Sequence, residues 1–116
     1  MDDAVERRLL GLLGLGVRGR LVLVGVDRVR DAAHRGVLRV AVVARDASAN
    51  SRGKVDRLLA AKKVPTVIVA SASALGGVAG RDSTTVMGVV DAQLAKGILA
   101  LVETTAAVQS GSGRKG

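Results

Sequence analysis

Four short runs dominated by Val, Leu, Ile and Ala, at residues 21–24, 39–44, 66–70 and 85–90, punctuate this chain. Between them, apolar residues recur every three or four positions. Successive residues of a strand point to opposite faces, so a strand that is apolar throughout needs a sheet covered on both sides. The intervening segments supply that cover. Val5, Leu9, Leu12 and Leu13 predict a helix over 3–13, and Val26, Val29, Ala32 and Ala33 a second one closed by Gly36. A third spans 51–63 and ends in Lys62 and Lys63, a short fourth runs towards Gly80, and Leu94, Ile98, Leu101 and Val102 mark a last. The pattern predicts an α/β fold, a three-layer α/β/α sandwich with a four-stranded mixed sheet. A single domain occupies 1–104. The small, polar, Gly/Ser-containing stretch 105–116 reads as a disordered basic tail.

The junctions carry capping residues. Residues 44–54 lead from the second strand to the third helix through small polar side chains, the kind of edge that faces a phosphate or polar ligand in an α/β sheet. Ser48, Asn50 and Ser51 are each suitable N-caps for that helix, as are Ser71 and Ser73 for the next. Asp46 and Asp91, at strand ends, are expected to cap the helices that follow them. His34, the single histidine, is placed to meet the last carbonyls of its helix.

Composition narrows the chemistry. With no Cys, no disulfide, thiolate nucleophile or Cys-based metal site can form. With no Phe, Tyr or Trp, the core must be built from aliphatic side chains, and stacking of bases on aromatic rings is excluded. The formal net charge of +8 favours a polyanion, nucleic acid ahead of a membrane surface. No apolar run is long enough to span a bilayer, and Asp2, Asp3 and Glu6 around Arg7 and Arg8 do not resemble a signal peptide, so the expected location is the cytoplasm. No combination of His, Asp and Ser forms a catalytic constellation, and neither a metal nor a cofactor is expected. Residues 14–19 spell GxGxxG, but a helix precedes and a strand follows, the reverse of a dinucleotide-binding turn. The segment reads instead as a helix end and connector. Arg18, Arg20, Arg28, Arg30, Arg35 and Arg39 crowd into one third of the chain, which favours RNA over a merely solvated face.

The order of these features resembles the kink-turn-binding ribosomal-protein superfamily of the L-seven-Ae and L-thirty-e type, nearest its bacterial YlxQ-like branch. The resemblance covers residues 9–103. It rests on Leu13-Gly14-Leu15 with Gly19-Arg20-Leu21-Val22, on Ala44-Arg45-Asp46-Ala47-Ser48 with Asn50-Ser51, on Val64-Pro65, on Leu75-Gly76 with Gly80, and on Val89-Val90-Asp91 through Ala95-Lys96 and Ile98-Leu99. It implies an RNA surface made of the turn after the first strand, Gly25, Val26, Asp27 and Arg28, and the loop before the last strand, Arg81, Asp82, Ser83 and Thr84. Gly25 matches the glycine that lets backbone approach RNA closely. The family favours Asn-Glu at the next polar positions and Lys three residues on; this chain has Asp27, Arg28 and Asp31. Asp27 can still accept from a guanine edge, and Arg28 and Arg30 offset the reversed charge at Asp31.

The sequence therefore predicts a non-catalytic RNA-binding protein of ribosomal-protein type. Its partner is a structured RNA, ribosomal or kink-turn, with association with the ribosome as one setting. The alternative is a protein-interaction module that keeps the fold without the RNA code. An accessory domain of an RNA methyltransferase fits least, because the chain has neither the length for the methyltransferase domain nor a cofactor loop.

Overall fold

A computed structural model describes residues 3–110, with side chains described for 3–102. Helices and strands alternate: α1 (Asp3–Arg18), β1 (Val22–Val24), α2 (Val26–His34), β2 (Val40–Val43), α3 (Ala49–Ala61), β3 (Thr66–Ile68), α4 (Ala72–Val78), β4 (Val86–Val89) and α5 (Ala92–Ser110). The sheet order is β1-β4-β2-β3. β4 runs antiparallel to both β1 and β2, and β3 runs parallel to β2. The expected four-stranded mixed sheet and α/β/α layering are what the chain forms. β2 and β4, the central strands, are buried at every residue, whereas β1 and β3 at the edges are only partly covered. Alternation along the strands feeds two cores. Val40, Val42, Val67, Met87 and Val89 pack under α1, α4 and α5, while Ala41, Val43 and Val86 pack under α2 and α3.

Without aromatic rings to fill space, the layers close by direct approach of backbone. Gly16 and Gly88 mark where this happens. A Cβ on Gly16 would run into the Val22 side chain and lie 2.7 Å from Leu94 Cδ2; one on Gly88 would lie 2.5 Å from Leu38 Cδ1 and 3.1 Å from Val29 Cγ2. This corrects the expected boundary of the first helix. α1 continues past residue 13 to Arg18, with Gly14 and Gly16 buried inside it, so only Gly19 of the GxGxxG segment belongs to the connector. A mid-helix glycine costs about 1 kcal/mol against alanine. Close packing on β1 and α5 offsets that penalty here.

Helices α1 to α4 end in one hydrogen-bonding pattern. Leu21, Val37, Val64 and Arg81 donate their N–H to carbonyls five residues back, at 2.7, 3.1, 2.9 and 2.8 Å, and the residue before each adopts positive φ. Gly36 and Gly80 suit that conformation, but Arg20 (φ 62°) and Lys63 (φ 56°) occupy it in the other two. In α2 the carbonyls of Asp31, Ala32 and Ala33 are taken by the N–H groups of Arg35, Val37 and Gly36, so the expected role of His34 there is filled by backbone. Replacing Lys63 by glycine removes the left-handed strain of an L-residue and pays back part of it as chain entropy. The expected net gain is about 0.5–1 kcal/mol, a rise in melting temperature of about 2–8 °C by calorimetry.

The caps resolve as follows. Ser48 caps α3, accepting from the Ser51 N–H at 3.1 Å; Ser71 caps α4, accepting from Ala74 N–H at 3.0 Å; and Asp91 caps α5, accepting from Leu94 N–H at 2.8 Å. Asp46 does not cap the helix that follows it. Its Oδ1 accepts from Ala72 N–H at 2.8 Å, in the first turn of α4. Parallel pairing of β2 with β3 is the reason, since it sets the loops after both strands side by side. α5 runs on to Ser110, past the expected boundary at 104, with no Gly or Pro between that boundary and Gly111; the rest of the expected tail, 111–116, lies outside the described residues.

Candidate functional site

One end of the sheet gathers the turns that the sequence singled out. β1 and β2 finish where β4 begins: Gly25 N–H donates to Val86 O at 3.0 Å and Ala44 N–H to Thr85 O at 2.8 Å. Gly25 is the N-cap of α2, with φ 105° and ψ 156°, a conformation essentially reserved for glycine. It offers α2 no side-chain cap, and a Cβ built on it would meet nothing within 4 Å. The N–H groups of the first turn of α2 are thus left to an outside acceptor. Val26 is half-buried, while Asp27 and Arg28 are exposed beside that terminus.

The loop 81–84 reaches the same end because α4 carries a seat for it. A Cβ on Gly76 would collide with Ser83 Cα and lie 2.6 Å from Ser83 N and 2.9 Å from the Asp82 carbonyl carbon. Arg81 N–H donates to Gly76 O at 2.8 Å and Thr84 N–H to Ala72 O at 2.9 Å. Thr84 is buried, and its hydroxyl donates to Val86 O at 3.4 Å, so it anchors the loop from below. Arg81, Asp82 and Ser83 are exposed. Sequence reasoning missed the seat itself; the Gly76-Gly77 pair inside a helical pattern was its only mark.

Arg28 and Arg81, fifty-odd residues apart in sequence, line one open groove of ≈ 550 Å³ together with Arg20 and β1. Arg30 is not among its walls. Two positions beyond Arg28, it stands about 200° further around the helix and shares its face with His34. On the outer face of α2, Asp27, Arg28, Asp31 and Arg35 line a second groove of ≈ 370 Å³, where Arg35 Nε lies 3.0 Å from Asp31 Oδ2. The stretch 44–54 sits at this sheet end, and several of its polar groups serve the fold. Ser48 and Asp46 are caps, and Arg45 Nη1 lies 3.6 Å from Glu6 Oε1, which also accepts from Ala70 N–H at 3.3 Å. Among the described residues, no three His, Asp or Glu side chains cluster to hold a metal ion, and no helix is long and apolar enough to cross a membrane.

The model of the ribosomal protein L7Ae/L30e/S12e/Gadd45 family matches residues 8–99, nearly the whole folded part of the chain. The chain belongs to that family. Among solved structures, this family member is similar to a protein with unknown function from Bacillus halodurans C, at 28% identity and a TM-score of 0.76, covering 82% of this chain and 96% of that one. It is also similar to a Giardia lamblia 15.5kD RNA binding protein, at 21% identity and a TM-score of 0.77, covering 93% and 92%. At that identity the second likeness establishes the shared fold. None of the curated proteins matches the chain.

Proposed function

We propose that this protein is a non-catalytic RNA-binding protein of ribosomal-protein type, of the bacterial YlxQ-like branch, that recognises structured, kink-turn-like RNA, ribosomal RNA included, in the cytoplasm. The observation that carries this reading is the uncapped N-terminus of α2 behind Gly25, set beside the exposed loop 81–84. Free N–H groups at a helix start donate to a phosphate oxygen or to an acceptor on a base edge, and the absence of a side chain at Gly25 lets nucleic-acid backbone come close. Gly25, Val26, Asp27, Arg28, Arg81, Asp82 and Ser83 form the contact surface, with Thr84 holding the loop. Arg30 adds attraction at longer range. Family membership and the likeness to an RNA-binding protein of the same fold support the choice of ligand.

Gel-shift titration against a kink-turn RNA and an unrelated hairpin tests it. Clear preference for the kink-turn is the expected result; equal, weak binding to both would leave only general basic affinity. Asp31 supplies a sharper check. Asp31→Lys changes the charge by two units beside Arg28 and breaks an i,i+4 pair with Arg35. Asp56→Lys does the same on α3, where Asp56 Oδ2 accepts from Arg52 Nε at 3.1 Å. The first substitution is expected to tighten RNA binding and steepen its salt dependence by about one counterion, and the second to do neither. Equal effects would mean that overall charge alone is being read.

A further inference from the structure

We infer that the RNA path continues from the Gly25 turn along the free edge of β1, where Arg20, Arg28 and Arg81 clamp the phosphates of one strand. This rests on the RNA reading above and assigns a surface beyond it. The groove beside β1 is walled by Val17 of α1, by β1 itself and by Ala79 at the end of α4. Its lining residues include three arginines and no carboxylate. The neighbouring groove over α2 differs, since its Arg28 and Arg35 face Asp27 and Asp31, with Asp31 paired to Arg35. Of these two grooves, the one on the β1 side offers a polyanion leaving the α2 N-terminus positive charge without a carboxylate beside it.

The edge supplies donors as well as charge. β1 pairs on one side only, with β4. Leu21 O accepts from Val90 N–H, and Gly25 N–H donates to Val86 O, so residues 21, 23 and 25 turn their polar groups towards β4. Val22 and Val24 therefore turn theirs outward into the groove. From Leu21 to Gly25 the edge extends about 13 Å, the length of several phosphates. Arg20 leaves the backbone from a fixed point, because the hydrogen bonds that end α1 hold it at φ 62°.

That conformation makes a clean test. Arg20→Gly removes the guanidinium and relaxes the backbone, so the variant folds. Lys63→Gly makes the equivalent change, one positive charge lost at a positive-φ helix end, next to the opposite edge strand β3. Both are titrated by fluorescence anisotropy against a kink-turn RNA with long flanking stems, over a range of KCl. Arg20→Gly is expected to weaken binding on the order of tenfold and to lower the salt slope by about one, while melting no lower than the parent protein. Lys63→Gly is expected to leave affinity unchanged. In a 1H–15N spectrum of the parent protein the amides of Val22 and Val24 are expected to shift on adding the RNA. Equal weakening by both glycine variants overturns the clamp, as does no change for Arg20→Gly in a protein whose binding still responds to Asp31→Lys; in that second case the RNA reading stands. Failure of the parent protein to bind the RNA removes both. If Arg20→Gly abolishes capture of a Glu-rich peptide but leaves the RNA titration unchanged, the edge is a peptide site and the inference is wrong.

Discussion

Gly76→Val is expected to destabilise the protein by about 3–5 kcal/mol and to lower its melting temperature by 10 °C or more, roughly. The new side chain would meet Ser83 N at 2.6 Å and the Asp82 carbonyl carbon at 2.9 Å, and these are backbone atoms that no rotamer change moves aside. Either α4 or the loop 81–84 must shift. In both cases the bonds from Arg81 N–H to Gly76 O and from Thr84 N–H to Ala72 O are lost, and the buried Thr84 is left to find new partners. Overpacking of this kind typically costs about 1–3 kcal/mol, and an unsatisfied buried polar group a similar amount. Against a total stability of roughly 5–15 kcal/mol this is severe. The adjacent Gly77 has nothing within 4 Å of its Cβ position, so Gly77→Ala is expected to stabilise α4 by about 1 kcal/mol. Opposite signs at neighbouring glycines, read by thermal denaturation with circular dichroism, would establish the seat. Similar effects at both would show that helix propensity, not the loop above, governs this turn.

Gly25→Val is expected to lower both stability and RNA affinity. The stability loss follows from the backbone at φ 105° and ψ 156°, where a β-branched residue stores about 1–3 kcal/mol of strain even with open space around its Cβ. The binding loss comes on top. A valine side chain at the start of α2 would obstruct the RNA approach proposed there, and a loss of more than tenfold is expected in the folded protein. Titration well below the melting point separates the two effects. A folded variant that binds as tightly as the parent would make Gly25 purely structural and move the contact surface elsewhere.

How much of this the amino-acid order carried can be traced residue by residue. The runs at 40–43 and 86–89 showed as strands because both their faces are covered, and a strand buried twice has no polar positions to mislead. Gly36 and Gly80 announced helix ends because positive φ selects glycine. Arg20 and Lys63 hid two equivalent ends, since tertiary packing imposes the same backbone on residues whose propensity gives no sign of it. Gly14 and Gly16 misled in the other direction. Their local signal is helix termination, but burial against α4, β1 and α5 outweighs about 1 kcal/mol of propensity each.

The candidate site divides in the same way. The family resemblance pointed to Gly25, Asp27 and Arg28, because the turn that carries it is contained in three or four adjacent letters. By itself, then, the chain's sequence determined its layers, its strands, the family it resembles and the turn where backbone is left bare. Only the tertiary structure decided which distant residues meet there. Antiparallel insertion of β4 between β1 and β2 brings Arg81 to Arg28, and parallel pairing of β2 with β3 spends Asp46 on α4. Helix geometry carries Arg30 away from a groove that Arg20 enters. Such pairings depend on strand order and on which face a helix buries. Both are set by long-range packing, so no window of neighbouring residues contains them.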